Sequence, residues 1–215
     1  MDTDTDTDTG TGTGTAQEWD ARYRSREQLF SGNPNGVLVT EVEGLPPGQA
    51  LDVGCGEGGD ALWLAGHGWR VTAVDVSEVA LRRAAAAGAE VSDRVAWARA
   101  DLATTPPPAA AFDLVSIQYF PLLRSAGEEA LRALVAAVAP GGTLLFVTHA
   151  LADLTEHPED SAEFDPADYY WADDLAAVLD DSWEIQVNET RPRTAPAPSG
   201  THHHRDTVLR ALRTA

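Results

Sequence analysis

Leu51-Asp52-Val53-Gly54-Cys55-Gly56-Glu57-Gly58-Gly59-Asp60 decides the fold of this chain. An apolar strand runs into a glycine turn, and the turn opens into an apolar helical stretch, Ala61-Leu62-Trp63-Leu64-Ala65. A second strand, Trp69-Arg70-Val71-Thr72-Ala73-Val74, ends at Asp75. This is the order of a nucleotide-binding βαβ unit: glycines let the backbone approach a ligand, and an acid about 20 positions on meets a ribose hydroxyl.

Working outward, strands are expected at 49–54, 69–74, 94–99, 112–118 and 142–149, and helices at 59–66, 77–88 and 126–138. Pro140-Gly141-Gly142 reads as the end of that last helix and the start of the fifth strand. The alternation predicts an α/β, doubly wound, Rossmann-like and mostly parallel sheet. Asp113-Leu114-Val115-Ser116-Ile117 and Leu144-Leu145-Phe146-Val147 are apolar enough to be buried central strands. Toward the C-terminus the alternation stops. Residues 150–170 are acidic and irregular, 172–179 read as helical, and 183–187 and 207–212 read as two strands without a helix between them. Such a pair is antiparallel and completes a seven-stranded sheet.

Upstream, Trp19, Tyr23 and Phe30 recur at roughly helical spacing, which predicts a helix over 17–30. A turn cluster at 31–36 and a short helix at 37–43 follow. Residues 1–16 alternate Asp or Gly with Thr, bury no face and are expected to be a disordered tail. Residues 17–215 then read as one domain: a helical cover (17–45), a cofactor-binding half (46–150) and an acceptor-side half (151–215).

The chain has 215 residues, with 34 acids against 15 lysines and arginines and a formal charge of −19. That balance repels phosphate backbones and anionic membranes, so neither nucleic acid nor membrane is an expected partner. No apolar run approaches the roughly 20 residues that span a bilayer. There is no basic and apolar leader pattern, and the single cysteine, Cys55, excludes an internal disulfide. Both point to the cytoplasm.

Gly54, Gly56 and Gly59 also satisfy the dinucleotide spacing, which leaves an NAD(P)-dependent oxidoreductase open. Asp52, Glu57 and Asp60 stand around the turn, however, and carboxylates facing a pyrophosphate are unfavourable in a partly desolvated cleft. A cationic ligand reverses the sign. S-adenosylmethionine carries a sulfonium, an ammonium and a carboxylate, so acids and helix amides each find a partner on it.

At this point the chain resembles a family. Leu51 to Gly58 is similar to motif I of the class I S-adenosylmethionine-dependent methyltransferases, Val74-Asp75-Val76-Ser77 to the acidic end of their second strand, and Ala100-Asp101-Leu102 to their adenine loop. Phe112-Asp113-Leu114-Val115 resembles their motif IV, and Pro140-Gly141-Gly142-Thr143-Leu144 the turn before strand five. The likeness covers about residues 19–212, nearest to the small stand-alone tellurite-resistance or thiopurine type. It implies S-adenosyl-L-methionine as cofactor, S-adenosyl-L-homocysteine as product and a small-molecule methyl acceptor. It places Gly54, Cys55, Gly56 and Gly58 along the methionine part, with Asp52 at its ammonium and Asp60 in the same turn. It places Asp75 at the ribose, with Val76 beside the adenine ring and Ser77 in the same motif, and Asp101 and Leu102 also at the adenine. Gln118 and Tyr119 face the transferred methyl, and Trp19, Tyr23 and Asn35 belong to the cover. The plainer reading makes Asp75 a helix cap, Asp101 a loop acid and Trp19 and Tyr23 core anchors. A non-catalytic protein that binds the same cofactor carries the same motifs.

Methyl transfer needs orientation and water exclusion, and a base only if the acceptor arrives protonated. His149, at the carboxyl end of strand five, with Tyr119 and His203, are the candidate catalytic groups. Arg191, Arg193, His202 and His204 are candidates for holding an anionic acceptor. The alternative for both arginines is neutralisation of nearby acids. His202-His203-His204 is not expected to hold a metal, because neighbours on an extended chain point to opposite sides.

Overall fold

A computed structural model describes residues 15–156, 165–194 and 203–214. The expected tail, through residue 14, and His202 lie outside the described residues.

Seven strands form one sheet in the order β3-β2-β1-β4-β5-β7-β6. They are β1 (Gln49–Val53), β2 (Arg70–Asp75), β3 (Val95–Arg99), β4 (Phe112–Gln118), β5 (Val138–His149), β6 (Trp183–Pro192) and β7 (Arg205–Arg213). The first five are parallel, and β7 runs antiparallel to both β5 and β6. The helices are α1 (Ala16–Ser25), α2 (Gly36–Val42), α3 (Gly59–Gly66), α4 (Glu78–Ala87), α5 (Glu128–Ala137), α6 (Leu151–Glu156) and α7 (Ala172–Ala177). The doubly wound, mostly parallel sheet with an antiparallel C-terminal pair is thus as the sequence predicts.

The period of two along each strand sorts the core into two layers. Ala50, Leu114, Leu145 and Val147 pack under α2 and α3, against Leu38, Val42, Ala61 and Leu64. Leu51, Val53, Ile117 and Phe146 pack on the other face, against Leu131, Leu134 and Leu175 of α5 and α7. Among the described residues no helix is long and apolar enough to cross a membrane.

Four local expectations need correction. The first helix stops at Ser25, where Arg26 turns to extended backbone, and Phe30 lies beyond it with its ring edge-on to Tyr23 at 6.1 Å. The helix starts at Ala16, one residue before the expected boundary, because Thr15 and Glu18 cap each other reciprocally. Pro140-Gly141-Gly142 does not separate helix from strand: α5 ends at Ala137, β5 begins at Val138, and the triplet lies where the register with β4 slips between Phe112 and Leu114. The irregular stretch after residue 150 contains α6, and β6 extends to Pro192.

Candidate active site

The turn after β1 is built by geometry that favours glycine. Gly54, Gly56 and Gly58 have φ of 68°, 52° and 87°. A Cβ on Gly54 would lie 2.5 Å from the Phe120 ring, and one on Gly58 would lie 2.8 Å from Trp97 and 2.9 Å from Ala84. The Gly56 amide donates to Asp75 Oδ2 at 2.9 Å, and the Ser77 amide donates to Asp75 Oδ1 at 2.8 Å. Asp75 therefore braces the turn from the end of β2, and burial raises its carboxyl pKa.

The acids around the turn divide by role. Glu57 Oε2 accepts from the amides of Leu29 and Phe30 at 3.0 and 2.9 Å, and Oε1 pairs with Arg83 at 2.9 Å. Asp60 accepts from the Asn35 amide at 2.6 Å and from Asn35 Nδ2 at 2.8 Å. These two hold the N-terminal segment down on the turn, which corrects the expectation that three carboxylates face the ligand. Asp52 is the third. It is buried, it accepts from the Ala61 amide at the start of α3, and its Oδ2 has no hydrogen-bond partner. Burial pushes its pKa well above the usual carboxylate range, and negative Asp60 and Asp75 push the same way. Gln118 is a similar case: Nε2 donates to Ser116 Oγ at 3.2 Å, while Oε1 is buried without a donor. A ligand that brings a cationic N–H group would satisfy such acceptors, and S-adenosylmethionine fits that demand.

The other positions are distributed as follows. Cys55 is buried, and burial pushes its thiol pKa well up, which disfavours the reactive thiolate. Ser77 is fully buried and caps α4: its hydroxyl accepts from the Ala80 amide at 3.1 Å and donates to Asp20 at 2.7 Å. That commits a hydroxyl the sequence had placed at the cofactor. Tyr23 is buried against Val79 and Ala80 with Trp19 beside it, so both are core anchors, yet a Cβ on Gly56 would lie 2.9 Å from the Tyr23 hydroxyl oxygen. Val76 is half-buried. Asp101 is exposed and caps its own loop through Ala103 at 3.0 Å, while Leu102 packs on the second core layer.

At the carboxyl ends of β4 and β5 the rings gather. Tyr119 has φ of 52°, a left-handed backbone rare for a bulky residue. His149 stacks with Tyr119 at 4.6 Å and with His203 at 4.0 Å. Arg193 lies over the Tyr119 ring at 5.1 Å, donates to His149 Nδ1 at 3.1 Å and stands 3.3 Å from Asp206 Oδ1. Burial lowers the His149 pKa well below normal, and His203 and Arg193 add to that. The bond from Arg193 to Nδ1 likewise favours the neutral imidazole.

Arg191 and His204 do not join this group. Arg191 pairs with Glu41 and, at 3.2 Å, with Glu189, so its guanidinium is engaged by two acids. His204 is exposed, and its amide donates to Asp153 at 2.7 Å. Two participants were not singled out from sequence. Asp206, the second residue of β7, lies beside the ring cluster. Thr148 is 8% exposed, with a hydroxyl that has no partner. Among the described residues no cluster of potential metal ligands occurs.

A cavity opens beside these rings. Phe120, Leu122, Leu154, Tyr170 and Trp171 wall it, and Thr148 and His149 reach it from β5. Its far wall exists because Leu123 and Tyr169 form an isolated antiparallel bridge, and the Tyr170 amide donates to Leu122 O at 2.8 Å.

Residues 50–142 match a family model described as a methyltransferase domain. The chain is 36% identical over 112 residues to a malonyl-[acyl-carrier protein] O-methyltransferase of Enterobacter lignolyticus, covering 50% of this chain and 41% of that one. It is 41% identical over 102 residues to an uncharacterized methyltransferase of Mycobacterium tuberculosis, covering 46% and 49%. The chain spans less than half the length of the curated relatives it matches. Its fold superposes with a TM-score of 0.70 on the N-methyltransferase NodS from Bradyrhizobium japonicum in complex with S-adenosyl-L-homocysteine, at 19% identity over 94% of this chain and 100% of that one. At that identity the superposition speaks for the fold. Sheet order, glycine turn and the methyltransferase-domain match over residues 50–142 agree with the likeness to the class I S-adenosylmethionine-dependent methyltransferases.

Proposed function

We propose that the protein transfers the methyl group of S-adenosylmethionine to a small-molecule acceptor held in the cavity at the ends of β4 and β5. One observation carries this: Phe120 packs on Gly54 of the cofactor turn and also walls the cavity, so the two compartments share a side chain. An acceptor there meets the cofactor with little water between them. The cofactor supplies an activated methyl on a sulfonium sulfur, and the chain supplies position. In this reading Asp52 and Gln118 Oε1 hold the ammonium, and Gly54, Cys55, Gly56 and Gly58 follow the methionine part. Asp75 takes the ribose, and Val76, Asp101 and Leu102 frame the adenine. The cover, 17–45, closes over it through Glu57 and Asp60.

Small-molecule use is supported by the mainly aromatic and aliphatic lining of the cavity and by the chain's acidic charge, which disfavours nucleic acid. Parallel titration with S-adenosylmethionine, S-adenosylhomocysteine and NADH tests the cofactor, with binding of the two adenosyl ligands alone expected. Formation of S-adenosylhomocysteine that depends on an added acceptor then separates an enzyme from a protein that only binds the cofactor.

A further inference from the structure

Resting on that reading, we propose that Arg193 is a positioning residue: it holds the Tyr119 ring so that the chain turns after β4 and seats Phe120 between the cofactor turn and the cavity. β4 ends at Gln118. The Tyr119 amide still continues the ladder, donating to Val147 O at 2.8 Å. Tyr119 then takes a φ of 52°. That left-handed backbone costs free energy for a residue with a Cβ, and it persists where the surroundings hold it.

The turn decides where the next side chain goes. Tyr119 packs on the core layer under α2 and α3, and Phe120 packs on the opposite layer. Phe120 thereby reaches Gly54, where an added Cβ would meet its ring at 2.5 Å, and it also walls the cavity. Relaxation of Tyr119 to an ordinary φ would swing Phe120 out of this shared position.

The Tyr119 ring is held from two strands. His149 of β5 stacks on it at 4.6 Å, and the Arg193 guanidinium lies over it at 5.1 Å. Arg193 also donates to His149 Nδ1 at 3.1 Å, so one guanidinium fixes both rings. The guanidinium is fixed in turn. Asp206, 1% exposed, stands 3.3 Å from it, and the Arg193 amide donates to His204 O at 3.0 Å, extending the pairing past the end of β6. Asp206 faces His149 across the β5–β7 ladder. The acid and the imidazole that share Arg193 are therefore neighbours, and Arg193 acts on Phe120 through Tyr119.

Fluorine spectroscopy reads Phe120 directly. The chain has five phenylalanines, so labelling with 4-fluorophenylalanine gives five resonances, and Phe120→Leu assigns one of them. In Arg193→Met the Phe120 resonance should shift or broaden, while those of the core residues Phe112 and Phe146 keep their positions. Calorimetry with S-adenosylhomocysteine supplies the second readout. Arg193→Met and Phe120→Ala should each weaken binding about five- to tenfold. The combined variant should bind no more weakly than Phe120→Ala alone, because both act through one contact. Arg193→Met leaves Asp206 buried without this partner. If that variant does not fold, Arg193→Met with Asp206→Asn, which removes both charges, takes its place in each measurement. An unmoved Phe120 resonance, or losses of affinity that add, overturns the positioning role and leaves the cofactor reading standing. Wild-type protein that binds neither S-adenosylmethionine nor S-adenosylhomocysteine removes the cofactor reading, and the fluorine spectrum still decides whether Arg193 sets Phe120.

Discussion

Arg191 near the end of β6 pairs with Glu41 of α2, 150 positions away in the chain, and Arg210 of β7 pairs with the other oxygen of the same carboxylate at 3.0 Å. One buried acid thus fastens the N-terminal cover to the antiparallel strands. Arg210 also donates to the Glu41 backbone carbonyl at 3.1 Å. Glu41→Ala would leave Arg210 without its carboxylate and Arg191 with Glu189 alone. Removing one partner of a buried pair typically costs 3–5 kcal/mol, and the partial exposure of both arginines places the expected loss near ~3 kcal/mol. Urea unfolding at neutral pH should show that loss as a lower midpoint with an unchanged slope.

Arg191→Ala follows from the same contact with a different readout. It should lower stability by about 1–2 kcal/mol, yet leave acceptor affinity unchanged, because Arg191 faces Glu41 and Glu189 and not the cavity. Weaker acceptor binding without weaker cofactor binding would return Arg191 to the site.

What was legible in the sequence follows from range. The glycine turn, the strand–helix alternation and Asp75 are local patterns, and all are where their spacing puts them. His149 and Arg193 were also found, because each stands at a strand end. Their meaning was not: the proton position on His149 depends on Arg193, 44 positions distant. The aromatic wall at 169–171 was lost in an acidic stretch, since it is shaped by a bridge to Leu123 that leaves no periodic signal. Thr148 carries no motif; only burial without a partner marks it. Arg191 was misplaced because i and i+2 on a strand share a face, which groups it with Arg193 in sequence, and only the packing of α2 draws it to Glu41.

Gly58 tests the turn as a packing device. Its φ of 87° disfavours any side chain, and a Cβ there would press on Trp97 of β3 and Ala84 of α4. Strain of about 1–2 kcal/mol adds to about 1–3 kcal/mol of overpacking. Gly58→Ala should therefore lose about 2–5 kcal/mol. Thermal unfolding should show it as a drop of several degrees, with cofactor affinity falling alongside.

Asp20 is a milder case on the cover. Its carboxylate accepts from Ser77 Oγ at 2.7 Å and from the Val79 amide at 3.1 Å, joining α1 to the start of α4. The hydrogen bond from Ser77 holds its pKa below normal. A depressed acid stabilises the fold above its unfolded pKa, and that contribution is lost as pH falls through the folded value. Asp20→Asn should cost about 1 kcal/mol at pH 7, and the wild-type advantage should shrink in acid, measured by urea unfolding at a series of pH values.

Asp52 should trade stability for ligand affinity. Its raised pKa means the folded protein binds a proton more tightly there than the unfolded chain does. The sign is opposite to that of Asp20: the folded state is favoured below the unfolded pKa, and stability declines as pH rises from there toward the folded value. Asp52→Asn removes the ionisation and keeps an oxygen for the Ala61 amide. The ligand-free variant should therefore be at least as stable as wild type at pH 7, and its stability should fall less on going from acid to neutral. The cationic cofactor asks for the opposite, an ionised carboxylate beside its ammonium. Affinity for S-adenosylmethionine in wild type should rise with pH through the raised pKa and then level. Binding should release a fraction of a proton, seen as a dependence of the calorimetric heat on buffer ionisation enthalpy. In Asp52→Asn that dependence should diminish and affinity should drop about tenfold or more, roughly 1.4 kcal/mol. A variant that is less stable than wild type yet binds as well would show that the carboxylate serves the fold and not the ligand.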